Sequence, residues 1–152
     1  MSQKALVDRD QATRLHIYRF WCEQGRPPTV AENASACDLV EAAALAAWRR
    51  LHDAHLILLE ADGTGIRMAN PLSAVPTRFR VQVGQHWLFA NCAWDAPGVS
   101  AMLGQDVVIE ARCSPRGEGL RFSVRDGELL AEEALVHFAL PFRHWYDDLV
   151  ET

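Results

Sequence analysis

What this chain lacks narrows it first. Its four cysteines, at positions 22, 37, 92 and 113, form no C-x-x-C pair. That spacing argues against a zinc ribbon or a thioredoxin-type redox site. No apolar run approaches the ~20 residues of a membrane-spanning helix, so no membrane association is expected. The opening stretch MSQKALVDRDQ has no apolar segment followed by a cleavage site. It does not read as a signal peptide, and a cytoplasmic location is expected. Positive charge is short as well: 15 Lys and Arg stand against 20 Asp and Glu, a formal net charge of -5. Such a balance gives no drive toward nucleic acid. There is also no Gly-rich phosphate loop, no Ser/His/Asp arrangement, no internal repeat and no low-complexity segment.

What is there reads as an ordinary globular chain. Its 152 residues suffice for one domain, or for two small ones sharing a core. In a reducing compartment the four cysteines are free thiols. The usual role of a free cysteine is that of a small buried residue, and Cys22 and Cys37 fall on helical apolar faces that suit it.

The hydrophobic period changes along the chain. DQATRLHIYRFWCEQG places Leu15, Tyr18, Cys22 and their neighbours on one helical face, and Gly25 stops the helix. After the Pro-Pro break, Thr29 and Glu32 have the spacing of a capping box for a short second helix. The alanine-rich stretch CDLVEAAALAAWRRLHDAHL reads as a third helix, with Asp38 as its N-cap and Glu41 three residues on. LILLEADGTGIRMAN then reads as a hairpin. Three helices and a hairpin make a winged-helix-like unit. The first turns of its third helix are acidic or featureless, with Arg49 and Arg50 only near the end, so a structural use is favoured over DNA reading.

Past the proline-containing joint PLSAVPTRFRV the period becomes two. RFRVQVG, HWLFANC, DVVIEARC, LRFSVR and ALVHFAL read as strands, with one helix inserted around residues 96–103. PFRHWYDDLVET reads either as a helix start or as an irregular aromatic segment. The expected fold is therefore α+β: a winged-helix-like part over residues 1–75, packed on a mainly antiparallel mixed-sheet part over residues 76–152.

One stretch carries chemistry. In HWLFANCAWDAPGVSAMLG a strand ends at Asn91-Cys92, and Asp95 follows three residues later where a helix begins. A helix N-terminus favours thiolate over thiol, so Cys92 is a candidate reactive cysteine. Asp95 has two open readings, a chemical partner or a plain N-cap. His52 and His55 have a spacing that suits metal ligands, but the helix end favours histidines anyway. Trp87, Phe89, Trp94, Phe142, Trp145 and Tyr146 read as core or as an apolar pocket, and Asp147-Asp148 as a solvated turn.

NCAWDAPGVSAMLG resembles the signature of the alkylmercury (organomercurial) lyases. GRPPT, MANPLSAVPTRFRV, RCSPRG and HFALPFRHWYDD follow in the order of that family, so the likeness covers nearly the whole chain. The resemblance implies protonolysis of a carbon–mercury bond in a small-molecule substrate. Soft mercury(II) prefers thiolates, and an aspartate supplies the proton that lets a carbanion leave. Carried onto this chain, Cys92 matches the first mercury-binding cysteine and Asp95 the proton-handling aspartate. Cys113 matches a cysteine with a structural role. The family's second essential cysteine would fall directly after Thr152. Without it, Cys113, His137, His144, a second chain or a small-molecule thiol would have to complete the site. No cofactor is required, and mercury(II) enters only as product or bound ion. The competing expectation is a non-catalytic metal or small-molecule binder, or sensor, on the same fold.

Overall fold

The computed structural model describes residues 3–112, 117–131, 135, 136, 138 and 140–144. Helix α1 runs Gln3–Gln24, α2 Val30–Ala36 and α3 Glu41–Asp53. The buried stripe of α1 is Thr13, Ile17 and Trp21, spaced four apart. Tyr18 and Cys22 flank that stripe, half-buried, but Leu15 is 49 % exposed and does not belong to it. Gly25 ends the helix at φ +74, and its N–H returns to the carbonyl of Trp21 at 2.9 Å. A Cβ there would lie 3.0 Å from Nδ1 of His86, so glycine also lets the helix end approach the sheet.

The capping box of α2 forms as expected. The N–H of Glu32 donates to Thr29 Oγ1 at 3.2 Å, and the N–H of Thr29 donates to Glu32 Oε2 at 2.8 Å. Arg26 clamps the same carboxylate at 2.9 and 2.7 Å. The guanidinium first, and then the Thr29 N–H, hold the Glu32 carboxyl down at about 2.

Asp38 is not the N-cap of α3. It lies at φ +52 in the exit turn of α2, where the Leu39 N–H reaches back to Ala34 O at 2.9 Å. That bond closes a left-handed helix end, a conformation aspartate tolerates. Val40 precedes α3 with no side-chain cap.

Asn33 ties the three helices together. Its Oδ1 accepts from Trp48 Nε1 at 2.7 Å, and its Nδ2 meets His16 Nδ1 at 2.7 Å and Thr13 O at 3.4 Å. Ala44 and Ala47, both buried, let α3 lie close against its neighbours. Arg50 of α3 is held by Asp10 at 2.8 and 2.6 Å, so this arginine is spent on packing α3 to α1.

The hairpin is β1 (Leu58–Leu59) and β2 (Ile66–Ala69). After it come β3 (Leu72–Ser73), β4 (Phe79–Val83), β5 (His86–Ala90), helix α4 (Asp95–Leu103), β6 (Val107–Arg112), β7 (Gly119–Arg125) and β8 (Glu128–Leu130). They form one sheet in the order β1-β2-β3-β5-β4-β6-β7-β8. Every pairing between the described strands is antiparallel. The strand β3 bridges the hairpin to the larger set, so the sheet continues across the expected joint near residue 75. The core is likewise shared. Ile17, Trp21, Trp48 and Leu51 from the helices pack in one cluster with Leu72, Val81, Leu88 and Ile109 from the sheet.

The last strand differs from the expectation. ALVHFAL was the expected strand, but its described residues 135, 136, 138 and 140 lie in none. Instead β8 follows β7 at once, through Asp126 (φ +50) and Gly127 (φ +79). Two successive left-handed residues make a tight hairpin turn whose twist matches the strands. The turn therefore fixes Arg125 opposite Glu128. A short 3-10 turn covers Phe142–His144. Among the described residues no helix is long and apolar enough to cross a membrane.

Candidate functional site

The site begins where β5 runs out. Thr77 Oγ1 donates to the carbonyl of Ala90 at 2.6 Å and pins the end of the strand. The next residue, Asn91, is held twice by the loop before β3. Its N–H donates to Pro71 O at 3.1 Å, and its Nδ2 to Asn70 Oδ1 at 2.8 Å. Tyr18 of α1 anchors that loop through a 2.8 Å bond from its hydroxyl to Asn70 O. The backbone entering Cys92 is thus fixed from three directions.

At Cys92 the chain turns into α4. The Cys92 carbonyl accepts the N–H of Ala96 at 3.2 Å, a bond of helical span. The nearby N–H groups of Trp94 and Asp95 favour the ionised sulfur, and that of Cys92 favours the ionised Asp95. An offset of three lets the two side chains meet across one turn. Asp95 is the first residue of α4 and not its N-cap. Trp94, just before the regular helix, already has helical dihedrals (φ -76, ψ -36) and makes no side-chain cap.

The thiol donates to Asp95 Oδ2 at 3.1 Å. Both groups are half-buried. Burial first, and then the adjacent carboxylate, push the Cys92 thiol up to about 11. The helix N–H groups pull the other way and lose. The dipole argument taken alone therefore pointed in the wrong direction: at neutral pH this thiol holds its proton. Burial also raises Asp95, against the opposing hydrogen bonds from Cys92. The pair is a proton donor and a proton acceptor in contact, both made uncomfortable as ions.

An aromatic side chain, Trp94, follows Cys92 by two residues. Trp94 is 64 % exposed, and its ring lies 6.3 Å from that of Phe138, tilted by 59°. Of the other aromatics singled out in the sequence, Trp87 and Phe89 lie on β5. Trp87 lies on the sheet beneath Arg80, 4.8 Å from the guanidinium carbon to the ring centre. Phe89 stands opposite Arg80 in the β4–β5 register. The Phe142 side chain, Trp145 and Tyr146 lie outside the described residues, as do Cys113, His137, Asp147 and Asp148.

The two histidines of α3 part company. His52 Nδ1 faces the Leu59 N–H at 3.4 Å, and His55 is in the turn after the helix at φ +56. His144 accepts from Arg143 Nε at 3.1 Å. Among the described residues no group of three or more His, Cys, Asp or Glu is placed to hold a metal ion. The bracket of Tyr18, Asn70 and Asn91 went unnoticed in the sequence. The Asn-Pro pair within MANPLS was its one available signal, as a turn marker.

The family model described as alkylmercury lyase matches residues 72–151. No curated protein sequence matches the chain. Among solved structures, the mercury-bound form of MerB2 matches with a TM-score of 0.61 and 28 % identity over 77 % of this chain. The chain spans 57 % of the length of that structure.

Proposed function

The chain belongs to the alkylmercury lyase family, and from that premise we propose that Cys92 and Asp95 cleave the carbon–mercury bond of an organomercurial substrate. The observation that carries this reading is the 3.1 Å contact from the Cys92 thiol to the Asp95 carboxylate. Mercury(II) is soft and displaces a proton from sulfur readily. As the sulfur–mercury bond forms, the thiol proton moves to Asp95 along the existing hydrogen bond. The protonated Asp95 then donates to the carbon as the carbon–mercury bond breaks. Hydrocarbon leaves, and mercury(II) remains on the Cys92 sulfur. The proton lost by the thiol is the proton gained by carbon, so no other acid is consumed.

The raised Cys92 thiol serves this sequence. A proton kept on sulfur until mercury arrives is a proton available for the carbon. Burial that lifts Asp95 makes it a readier carrier than a solvated carboxylate. The exposed Trp94 beside the pair offers an apolar surface for the organic group. A small thiol in solution supplies the further sulfur that mercury(II) needs in order to leave. Neither a cofactor nor a resident metal takes part.

The test is release of hydrocarbon from an alkylmercury compound in the presence of excess small thiol, read by gas chromatography. Wild-type protein is expected to release it and Cys92→Ser is not. Mercury uptake on Cys92 without hydrocarbon would leave a binding protein and remove the lyase reading.

A further inference from the structure

The chain is acidic as a whole, at -5, but one part of its sheet is rich in arginine. Arg78, Arg80, Arg112 and Arg121 line one open cavity of about 470 Å³, with Glu110 as its single carboxylate and Thr77 at one end. The strand register makes this grouping unavoidable. Arg80 stands opposite Glu110, which stands opposite Arg121, across β4, β6 and β7. Side chains on alternate positions share a face.

Two of the guanidiniums already share one carboxylate. Glu110 Oε2 accepts from Arg80 Nε at 3.0 Å and Nη2 at 2.6 Å, and Oε1 accepts from Arg121 Nη1 at 3.4 Å. The Trp87 ring supports Arg80 from below. Among Arg80, Arg112 and Arg121, Glu110 offsets one of three charges, and Arg112 has no ion-pair partner among the described residues. Crowded like charges disfavour the folded state unless something neutralises them. Planar guanidiniums match carboxylate and phosphate oxygens in pairs.

We propose that this cavity binds a small molecule carrying two or more anionic oxygens, a dicarboxylate or a phosphate, through Arg80, Arg112 and Arg121. Neither Cys92 nor Asp95 lines it, so the site is distinct from the thiol pair and does not depend on the lyase reading. It lies close by along the chain, however. Thr77 at its end holds the Ala90 carbonyl, two residues before Cys92. An occupant there would brace the strand end from which the Cys92 turn departs.

Calorimetric titration of the protein at low ionic strength tests this, with succinate in one arm and inorganic phosphate in the other. Saturable binding of one equivalent is expected in at least one arm, and the arm that saturates names the ligand chemistry. Arg112→Gln is expected to weaken it by about fivefold or more, the loss of one charged hydrogen-bonding partner. Glu110→Gln is expected to tighten it, because a competing carboxylate is gone and two guanidiniums are released. A merely structural role for Glu110 would not produce tighter binding. The proposal is overturned if neither anion saturates, or if Arg112→Gln binds as the wild type does.

Discussion

Two cysteines of this protein sit at helix ends, and they are at opposite ends. Cys37 follows the last turn of α2, where its N–H returns to Asn33 O at 3.1 Å. Cys92 precedes α4, and its carbonyl accepts the Ala96 N–H at 3.2 Å. Both are half-buried, and burial raises both thiols. Cys37 faces Asn33 Nδ2 at 3.9 Å, a donor that can take no proton. Cys92 faces a carboxylate that can. The difference teaches that a helix terminus does not by itself make a cysteine chemical. A partner able to accept the thiol proton does, and at Cys92 burial together with that partner outweighs the dipole.

The sharpest way to break the comparison is to remove each sulfur. Cys92→Ser is expected to cut hydrocarbon release from an alkylmercury substrate by about a thousandfold or more, as loss of a nucleophile does. Cys37→Ser is expected to leave the rate within about twofold. Equal losses in the two variants, by gas chromatography, would erase the distinction.

A smaller effect separates acid–base work from structure. Asp95→Asn removes the carboxylate that raises Cys92, although burial remains. The variant is expected to alkylate at Cys92 with iodoacetamide about three- to tenfold faster at pH 8 than the wild type. Peptide mapping by mass spectrometry follows this site by site.

The pH dependence is fixed in sign. In the folded chain Cys92 holds its proton up to about 11, whereas an unfolded cysteine loses it near the ordinary value of 9. The folded form binds the proton more tightly between those values. Its contribution to stability is therefore complete below 9 and lost as pH rises through 11. Alkylation of Cys92 should have its midpoint near the upper value. Denaturant titrations should show wild-type stability falling from pH 9 upward more than that of Cys92→Ala.

The smallest expected effect on the thiol comes from the helical hub. Asn33→Ala leaves Trp48 Nε1 without its 2.7 Å partner and is expected to cost about 1–3 kcal/mol in urea unfolding. The alkylation rate of Cys92 should not change.

Much of this contrast was legible in the sequence, for physical reasons. Periodicity and capping chemistry are local, so the three helices, the hairpin and the Thr29–Glu32 box could be read from neighbours alone. Cys92 and Asp95 were legible as a pair because their interaction spans one turn. The sign of the Cys92 shift was not, because burial depends on what the whole fold brings over the thiol. Asp38 is a left-handed helix exit rather than the expected N-cap, because aspartate suits both and only the return bond of Leu39 decides. The Asp126-Gly127 turn was legible as well, because an Asp-Gly pair suits two left-handed residues, but the short strand that follows it was not. The arginine cavity escaped notice because a net charge averages over a surface, while strand register concentrates four guanidiniums on one face.

The central claim is that Asp95 carries the proton from the Cys92 sulfur to the departing carbon. A single-turnover experiment with Asp95→Asn tests it most directly, following mercury uptake on Cys92 by mass spectrometry and hydrocarbon release by gas chromatography in the same sample. The account predicts that the variant takes up the organomercurial on Cys92 but releases hydrocarbon at least about a hundredfold more slowly than the wild type. Release at the wild-type rate would contradict it.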